Sequence, residues 1–225
     1  TKTGLFKNIE RFLSKKSTSI IAISDNQKEE LGIEHQIAPL DKIKVIPLGF
    51  DLSKFREDIE NKRAQFRSDY NVAEDEIAVG IIGRLVPVKN HHLFLEALKQ
   101  VLLETTKKVK VFIIGDGEDK DALIEKAGQL GIQCCVCDFK NNTKLLCFTS
   151  WIKEIDYVNA GLDIVALSSL NEGTPVSLIE AQAANNPIVS TNVGGIENIV
   201  LEGETALLSE VGDVQAYAKN LLCLL

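Results

Sequence analysis

From about residue 43 the chain alternates short apolar runs with stretches of helical periodicity. The runs are IKVIP (43–47), AVGIIG (78–83), VKVFIIG (109–115), KLLCF (144–148), DIVALS (163–168), PIVS (187–190) and TALL (205–208). Several are continuous rather than alternating, as strands covered on both faces read. Helical patterns fall between them, near 91–105, 118–130, 152–160, 175–185, 194–201 and 213–225. Strand and helix in regular alternation, with short connections, predict an α/β fold: a Rossmann-like, doubly wound parallel sheet. Right-handed crossovers then put every strand's C-terminal end on one edge, where such sheets bind ligands.

Residues 1–40 read differently. A helix near 5–15, a strand SIIAIS (19–24) and a helix opened by Asp25 supply one strand only, too little for a sheet. This segment reads as the tail of another domain, joined through the region from Pro39 to Pro47. The first residue is not Met, and the closing NLLCLL stops inside an amphipathic helix with no C-cap signal, so both ends read as cut. There is no internal repeat or low-complexity segment.

Composition narrows the function. The 225 residues are 45% hydrophobic and 25% charged, as in ordinary globular proteins, with a net charge of −7. That balance, without a dense Lys/Arg run, argues against nucleic-acid binding and against a polybasic membrane anchor. Neither an 18-residue apolar run nor a secretory signal is found, so the expected location is cytoplasmic. Five cysteines, Cys134, Cys135, Cys137, Cys147 and Cys223, lack the spacing of a disulfide framework or of paired metal knuckles. They read as structural thiols rather than metal ligands.

Three loops after strand ends carry unusual residues. In GRLVPVKN (83–90), Gly83 ends a strand and Asn90 is placed to cap the next helix. Arg84 and Lys89 then set two cations beside a helix N-terminus, where the dipole is already positive. Either a diphosphate-like anion docks there, or these are solvated cations paired with local acids. His91 and His92 open that helix and read as structural or exposed rather than catalytic. In IIGDGED (113–119), Gly115 and Gly117 permit positive φ and close backbone approach, but the third glycine of the dinucleotide fingerprint is missing.

The third loop is NEGTPVSLIEA (171–181). Thr174 is a candidate N-cap and Pro175 suits the first helical position. Val176, Ile179 and Ala183 form an i, i+3, i+7 stripe expected to face the sheet, and Glu180, four residues after Val176, leans toward it. A carboxylate there needs hydrogen-bond donors, such as sugar or ribose hydroxyls. Glu172 precedes the helix and would share a pocket with the free amides of residues 174 to 176. Acid, amides and a second acid describe a site for a phosphorylated sugar; a capped helix with a stray acid is the plain alternative.

IPLGFDLSKF, VGIIGRLVPVKN, VFIIGDGED, LSSLNEGTPVSLIEAQAANNPIVSTNVGGI and GETALL resemble, in order and spacing, the C-terminal domain of group 1 (family 4) retaining glycosyltransferases of the GT-B fold. The likeness runs from about residue 18 to the end. It implies that residues 1–40 are a remnant of the N-terminal acceptor domain with its linker, and that 41–225 bind a nucleotide-sugar donor. It also implies that Arg84 and Lys89 hold the diphosphate, Glu180 the ribose hydroxyls, and Glu172 the donor hexose near the reacting face, as the catalytic glutamate. Gly83, Gly115 and Gly117 belong to the same donor site. The amides from Gly173 through Thr174 and Pro175 to Val176 would reach sugar and phosphate oxygens, with the base near Phe148, Thr149, Ser150 and Trp151.

No metal or other cofactor is expected on this reading, because cations and helix amides neutralise the leaving diphosphate. The acceptor would be a glycan or lipid-linked, met through the N-terminal domain, with peripheral association of the longer enzyme at the inner membrane face. By itself the chain is expected to bind donor without transferring it. Three departures from the family pattern stand out: Ala183-Ala184-Asn185-Asn186-Pro187, Thr205-Ala206, and Pro47-Leu48-Gly49. They touch none of the four charged residues, but leave the loop near 206 open. A nucleotide-sugar epimerase of the same architecture and a non-catalytic nucleotide-sugar module remain the competing readings.

Overall fold

The computed structural model describes residues 2–136 and 139–225, so Cys137 lies outside the described residues. The chain divides into two compact units, one up to Asp51 and one from Leu52.

In the first unit, α1 (Lys2–Lys16) is followed by β1 (Ile20–Ala22), α2 (Asp25–Glu29), a π turn over Glu30–Glu34 and β2 (Ile43–Val45). Ile43–Val45 does not join the large sheet. It pairs in parallel with β1, Ile20 opposite Ile43, over a small core of Ala22, Ala38 and Ile43. The Ser24 side chain caps α2 by accepting from the Gln27 amide. Helix α1 is held by Ser14 Oγ donating to the Ile37 carbonyl at 2.7 Å and by Arg11 Nη2 donating to that of His35 at 2.7 Å.

The second unit is the expected doubly wound sheet. It runs α3 (Ile59–Asp69), β3 (Glu76–Ile82), α4 (His91–Glu104), β4 (Lys108–Ile114), α5 (Lys120–Gln129), β5 (Cys134–Cys135), β6 (Leu146–Ser150) and α6 (Ile155–Gly161). Then follow β7 (Ile164–Leu167), α7 (Val176–Ala183), β8 (Ile188–Thr191), β9 (Ala206–Ser209) and α8 (Val214–Leu224). The seven strands are parallel in the order β5-β6-β4-β3-β7-β8-β9.

The continuous apolar runs are explained by alternation between two buried faces. Val79 and Ile81 of β3, with Val111 and Ile113 of β4, pack against Phe94 and Leu98 of α4, Leu123 of α5 and Tyr217 of α8. Ala78, Ile82, Phe112 and Ile114 point to the opposite face, against Phe66 of α3, Val158 of α6 and Leu178 of α7.

Two further elements differ from the sequence reading. The pattern near 194–201 yields only a single 3-10 turn, Ile196–Asn198. Helix α3 gave no periodic signal, because Phe66 is its one buried residue. Its charged face is used instead: Arg63 and Arg67 both reach Asp163, at 2.6 and 3.2 Å, and Asp163 also accepts the Ala78 amide. At the helix end after α7, Asn185 takes a left-handed φ of 61°, as its place in Ala-Ala-Asn-Asn-Pro predicts. The loop left open near 206 is a tight turn: Thr205 Oγ1 accepts the Leu201 amide at 2.9 Å, and Ala206 starts β9.

Candidate functional site

The chain builds outward from β3 through β4 to β6, then returns to place β7 on the other side of β3. Between β3 and β7 the connections diverge in opposite directions, which opens a crevice at the C-terminal edge. The loops that flank it are 83–90 and 168–175, two of the three singled out in the sequence.

These loops are bound together. Leu170 N–H donates to the Val88 carbonyl at 2.8 Å, and Ser168 Oγ donates to that of Lys89 at 3.0 Å. Across the crevice Lys89 Nζ lies 2.5 Å from Glu172 Oε1. Ser169 Oγ donates to the same oxygen, also at 2.5 Å. The Glu172 side chain is only 9% exposed, yet it is charge-paired and hydrogen-bonded, as a buried carboxylate requires.

Behind Glu172 the backbone is clamped. Gly195 N–H donates to the Glu172 carbonyl at 3.2 Å. Gly194 holds φ +55°, and a Cβ there would lie 1.8 Å from that same carbonyl oxygen. Only glycine fits this approach.

On the other side of β3, the loops after β3, β4 and β6 meet backbone to backbone. Gly115 has φ +148°, and a Cβ on it would come within 1.9 Å of the Gly83 carbonyl; one on Gly117 would meet the Leu85 carbonyl at 2.2 Å. The close approach that Gly115 and Gly117 allow is therefore to the chain's own backbone. Ser150, at φ 58°, accepts the Gly115 amide at 3.1 Å and takes a 2.6 Å bond from Lys120 Nζ. Lys120 also reaches Asp116 at 3.4 Å. The Gly117 amide, then Ser150 and Lys120, hold the Asp116 carboxyl below its ordinary range against a weaker pull from burial. Trp151 stands beside this corner, 56% exposed.

Helix α7 starts one residue later than the sequence suggests. Its cap position is Pro175, not Thr174: the φ of −73° would suit a helix, but the ψ of 94° is extended, and no side chain caps this end. Pro175 carries no N–H, so the free donors at this end come from Gly173, Thr174 and Val176. None of these three amides meets an acceptor among the described residues. The buried stripe also has a different phase: Leu178, Ala181 and Ala183 face the core, while Val176 is 37% exposed. Val176 therefore faces away from the core, and Glu180 flanks the stripe half-buried. Burial, with Asp156 nearby, raises the Glu180 carboxyl above its ordinary value, and Lys54 opposes the shift.

Helix α4 likewise lacks the predicted cap. Asn90 adopts left-handed backbone, φ 48°, and its side chain makes no capping bond. Lys89 nonetheless ends the 3-10 turn Pro87–Lys89 directly before this N-terminus. Gly83 is beside it, since a Cβ on Gly83 would lie 3.8 Å from Lys89 Cε. Arg84 is exposed and forms no ion pair among the described residues. His91 is structural in placement: 2% exposed, both ring nitrogens without partners among the described residues, and pushed down to about 4 by burial, with Lys89 and His92 adding to the effect.

The structure thus brings together Gly83, Lys89, Glu172 and the amides of Gly173, Thr174 and Val176, and next to them Gly115, Gly117 and Ser150. Glu180 stands apart, by Lys54 and Asp156. Sequence reasoning passed over Ser169, Lys120 and the Gly194–Gly195 clamp. The adjacent glycines of VGGI were the available signal for the last. Among the described residues no group of three or more His, Cys, Asp or Glu is arranged to hold a metal ion. Cys135 and Cys147 are buried with their sulfurs 3.1 Å apart, consistent with structural thiols.

Residues 62–225 match the family model for glycosyl transferases of group 1. The chain belongs to that family. UDP-Gal:α-D-GlcNAc-diphosphoundecaprenol α-1,3-galactosyltransferase of Escherichia coli is 30% identical over 219 residues, covering 97% of this chain and 54% of the relative. HepE of Anabaena, solved with UDP and glucose, superposes with a TM-score of 0.77 at 23% identity, over 96% of this chain and 56% of that one. The C-terminal domain of the group 1 protein LpcC from Francisella tularensis superposes with a TM-score of 0.62 at 25% identity, over 78% and 87%. This group 1 chain therefore has the fold of the C-terminal half of a GT-B glycosyltransferase, and it spans about half the length of the curated relatives it matches.

Proposed function

We propose that this group 1 glycosyltransferase chain is the donor-binding part of a retaining enzyme. It transfers a hexose-type sugar from a UDP-sugar to a glycan or lipid-linked acceptor in cell-surface polysaccharide assembly. The observation that carries the reading is the crevice between β3 and β7, where Lys89, Glu172 and the free amides before α7 converge. A diphosphate fits the cation and amides, and a sugar hydroxyl fits the second oxygen of Glu172. UDP and glucose bound to HepE support the donor class, and the lipid diphosphate in the E. coli relative's name supports the acceptor class.

In the proposed reaction the bond from the anomeric carbon to the diphosphate oxygen breaks, and the nucleoside diphosphate leaves with the electron pair. The acceptor oxygen bonds to the anomeric carbon on the same face, and its proton passes to the departing diphosphate. Lys89, Arg84 and the amides at 173, 174 and 176 stabilise the charge that develops on the leaving group. Glu172 orients the hexose and, as the catalytic glutamate, faces the positive charge growing at its anomeric carbon. Glu180 takes the ribose hydroxyls, and the base lies by Ser150 and Trp151. No metal is needed on this reading.

The family match and the named galactosyltransferase favour transfer over the epimerase and non-catalytic readings. No helix among the described residues is long and apolar enough to cross a membrane; peripheral contact of the longer enzyme with the inner membrane face belongs to the same proposal. Calorimetric titration of the chain with UDP, UDP-glucose and UDP-galactose is the test. Saturable binding with one site per chain is expected. Failure to bind any nucleoside diphosphate sugar overturns the reading.

A further inference from the structure

Glu172 Oε1 has two donors of different character. Lys89 Nζ is partly exposed, with 21% of its side chain in solvent, and stands at the crevice where an anion would enter. Ser169 is fully buried, so no ligand reaches its hydroxyl. A diphosphate competes with Glu172 for Lys89 and draws the ammonium away, since phosphate oxygens offer the same charge-assisted bond. It cannot compete for Ser169. When donor is bound, the serine is the donor that remains on Oε1.

The serine is itself held from behind. Thr191 Oγ1 donates to the Ser169 carbonyl at 2.7 Å, and Thr191 is fully buried at the end of β8. One residue earlier, directly after β7, Ser168 Oγ donates to the Lys89 carbonyl. The hydroxyl that meets Glu172 therefore stands at the strand end of the 168–175 loop, where its backbone is tied to β8 through Thr191. Both bonds fall on Oε1, which leaves Oε2 as the oxygen presented to a ligand.

We propose that Ser169 is a positioning residue: it fixes the rotamer of Glu172 so that the carboxylate keeps its aim at the donor sugar after Lys89 has moved to the diphosphate. This rests on the donor reading above. It assigns Ser169 no contact with substrate.

Binding of UDP, UDP-glucose and UDP-galactose is measured for the unaltered chain, for Ser169→Ala, for Glu172→Ala and for the double variant. The readout is the sugar increment, the ratio of UDP-sugar to UDP affinity, which a merely structural role would leave in place. Ser169→Ala should keep UDP binding near that of the unaltered chain while lowering the increment about tenfold, the scale of one bond to a charged group. In the Glu172→Ala background, Ser169→Ala should lower it no further, because its effect passes through that carboxylate. Ser169→Cys, which keeps the volume and a weaker donor, should be intermediate, and it serves as the test variant if the alanine form does not fold.

An unaltered increment in Ser169→Ala, alongside a lost one in Glu172→Ala, overturns the role of Ser169 alone. Additive losses in the double variant do the same. Absence of any increment in the unaltered chain removes Glu172 from the sugar site, and the proposal falls with that assignment.

Discussion

Lys89 and Glu172 sit on loops that leave β3 and β7 in opposite directions, and they meet at 2.5 Å across the switch point of the sheet. The pair makes the crevice self-compensating: the cation proposed to meet a diphosphate neutralises the carboxylate proposed to meet a sugar. Two opposite effects on nucleotide binding follow. Lys89→Ala removes a charge-assisted bond worth about 1.5–3 kcal/mol, so UDP affinity should fall roughly ten- to a hundredfold. UMP, without the second phosphate, should lose less. Glu172→Gln removes the competitor for Lys89, and UDP affinity should rise. Titrating both variants with UMP and UDP checks the pair; a Glu172→Gln form that binds UDP more weakly would show that the two groups cooperate on the diphosphate.

Glu180 predicts a trade between stability and binding. Burial raises its folded-state carboxyl above the unfolded value of about 4.3, so the folded state holds a proton that the unfolded state releases. Its contribution to stability is complete below that unfolded value and is lost as pH rises through the raised one. At pH 7 the half-buried charge is therefore a cost. Glu180→Gln should raise Tm at pH 7, lose that advantage below about pH 4, and weaken nucleotide binding through the ribose. Melting curves across that pH range decide it, and a lower Tm at neutral pH would contradict the burial argument.

His91 works with the opposite sign. Its folded value of about 4 lies below the ordinary value of about 6.5, because burial with no partner on either nitrogen disfavours the cation. The unfolded chain then takes up the proton first, and stability falls as pH drops from 6.5 toward 4. A leucine of similar volume has no nitrogens to leave unsatisfied. His91→Leu should therefore match or exceed the unaltered chain at pH 7 and lose less stability on acidification. Parallel acid dependence of the two proteins would place the effect elsewhere.

The sheet and the crevice were legible because they rest on local signals. Val79 to Ile82 and Val111 to Ile114 are apolar at every position but Gly80, since both faces are covered, and glycines follow at 83 and 115. Glu172 and Lys89 were legible from their places beside helix starts. What failed was detail set by tertiary contacts. Periodicity alone could not phase α7, where a one-residue delay at Pro175 turns Val176 outward and Leu178 inward. Helix α3 was missed because its anchors, Arg63 and Arg67, find Asp163 about a hundred residues away, which no window reveals. Ser169 looked like any strand-end serine until its hydroxyl was seen on Glu172. The separation of 83 positions between Lys89 and Glu172 hides that pair in the same way.

The two glycines around Glu172 offer a contrast that separates architecture from ligand space. Gly194 lies at φ +55°, and its missing Cβ is replaced by the Glu172 carbonyl, 1.8 Å from where that atom would be. The obstructing group is backbone, so no rotamer change relieves it. Gly194→Ala adds left-handed strain of order 1–3 kcal/mol to a steric clash, and the clamp on Glu172 must open. Gly173 is exposed, has nothing within 4 Å of an added Cβ, and carries no positive φ. Gly173→Ala should therefore leave Tm within about a degree or two, as a free surface position does. If the amides beside it bind donor oxygens, the same methyl group stands where the donor must come, and UDP-sugar affinity should drop while the fold is intact. Thermal unfolding and donor titration of the two variants, side by side, test this. Gly194→Ala should fail both measurements and Gly173→Ala only the second. Undiminished donor binding by a stable Gly173→Ala would move the diphosphate away from the start of α7.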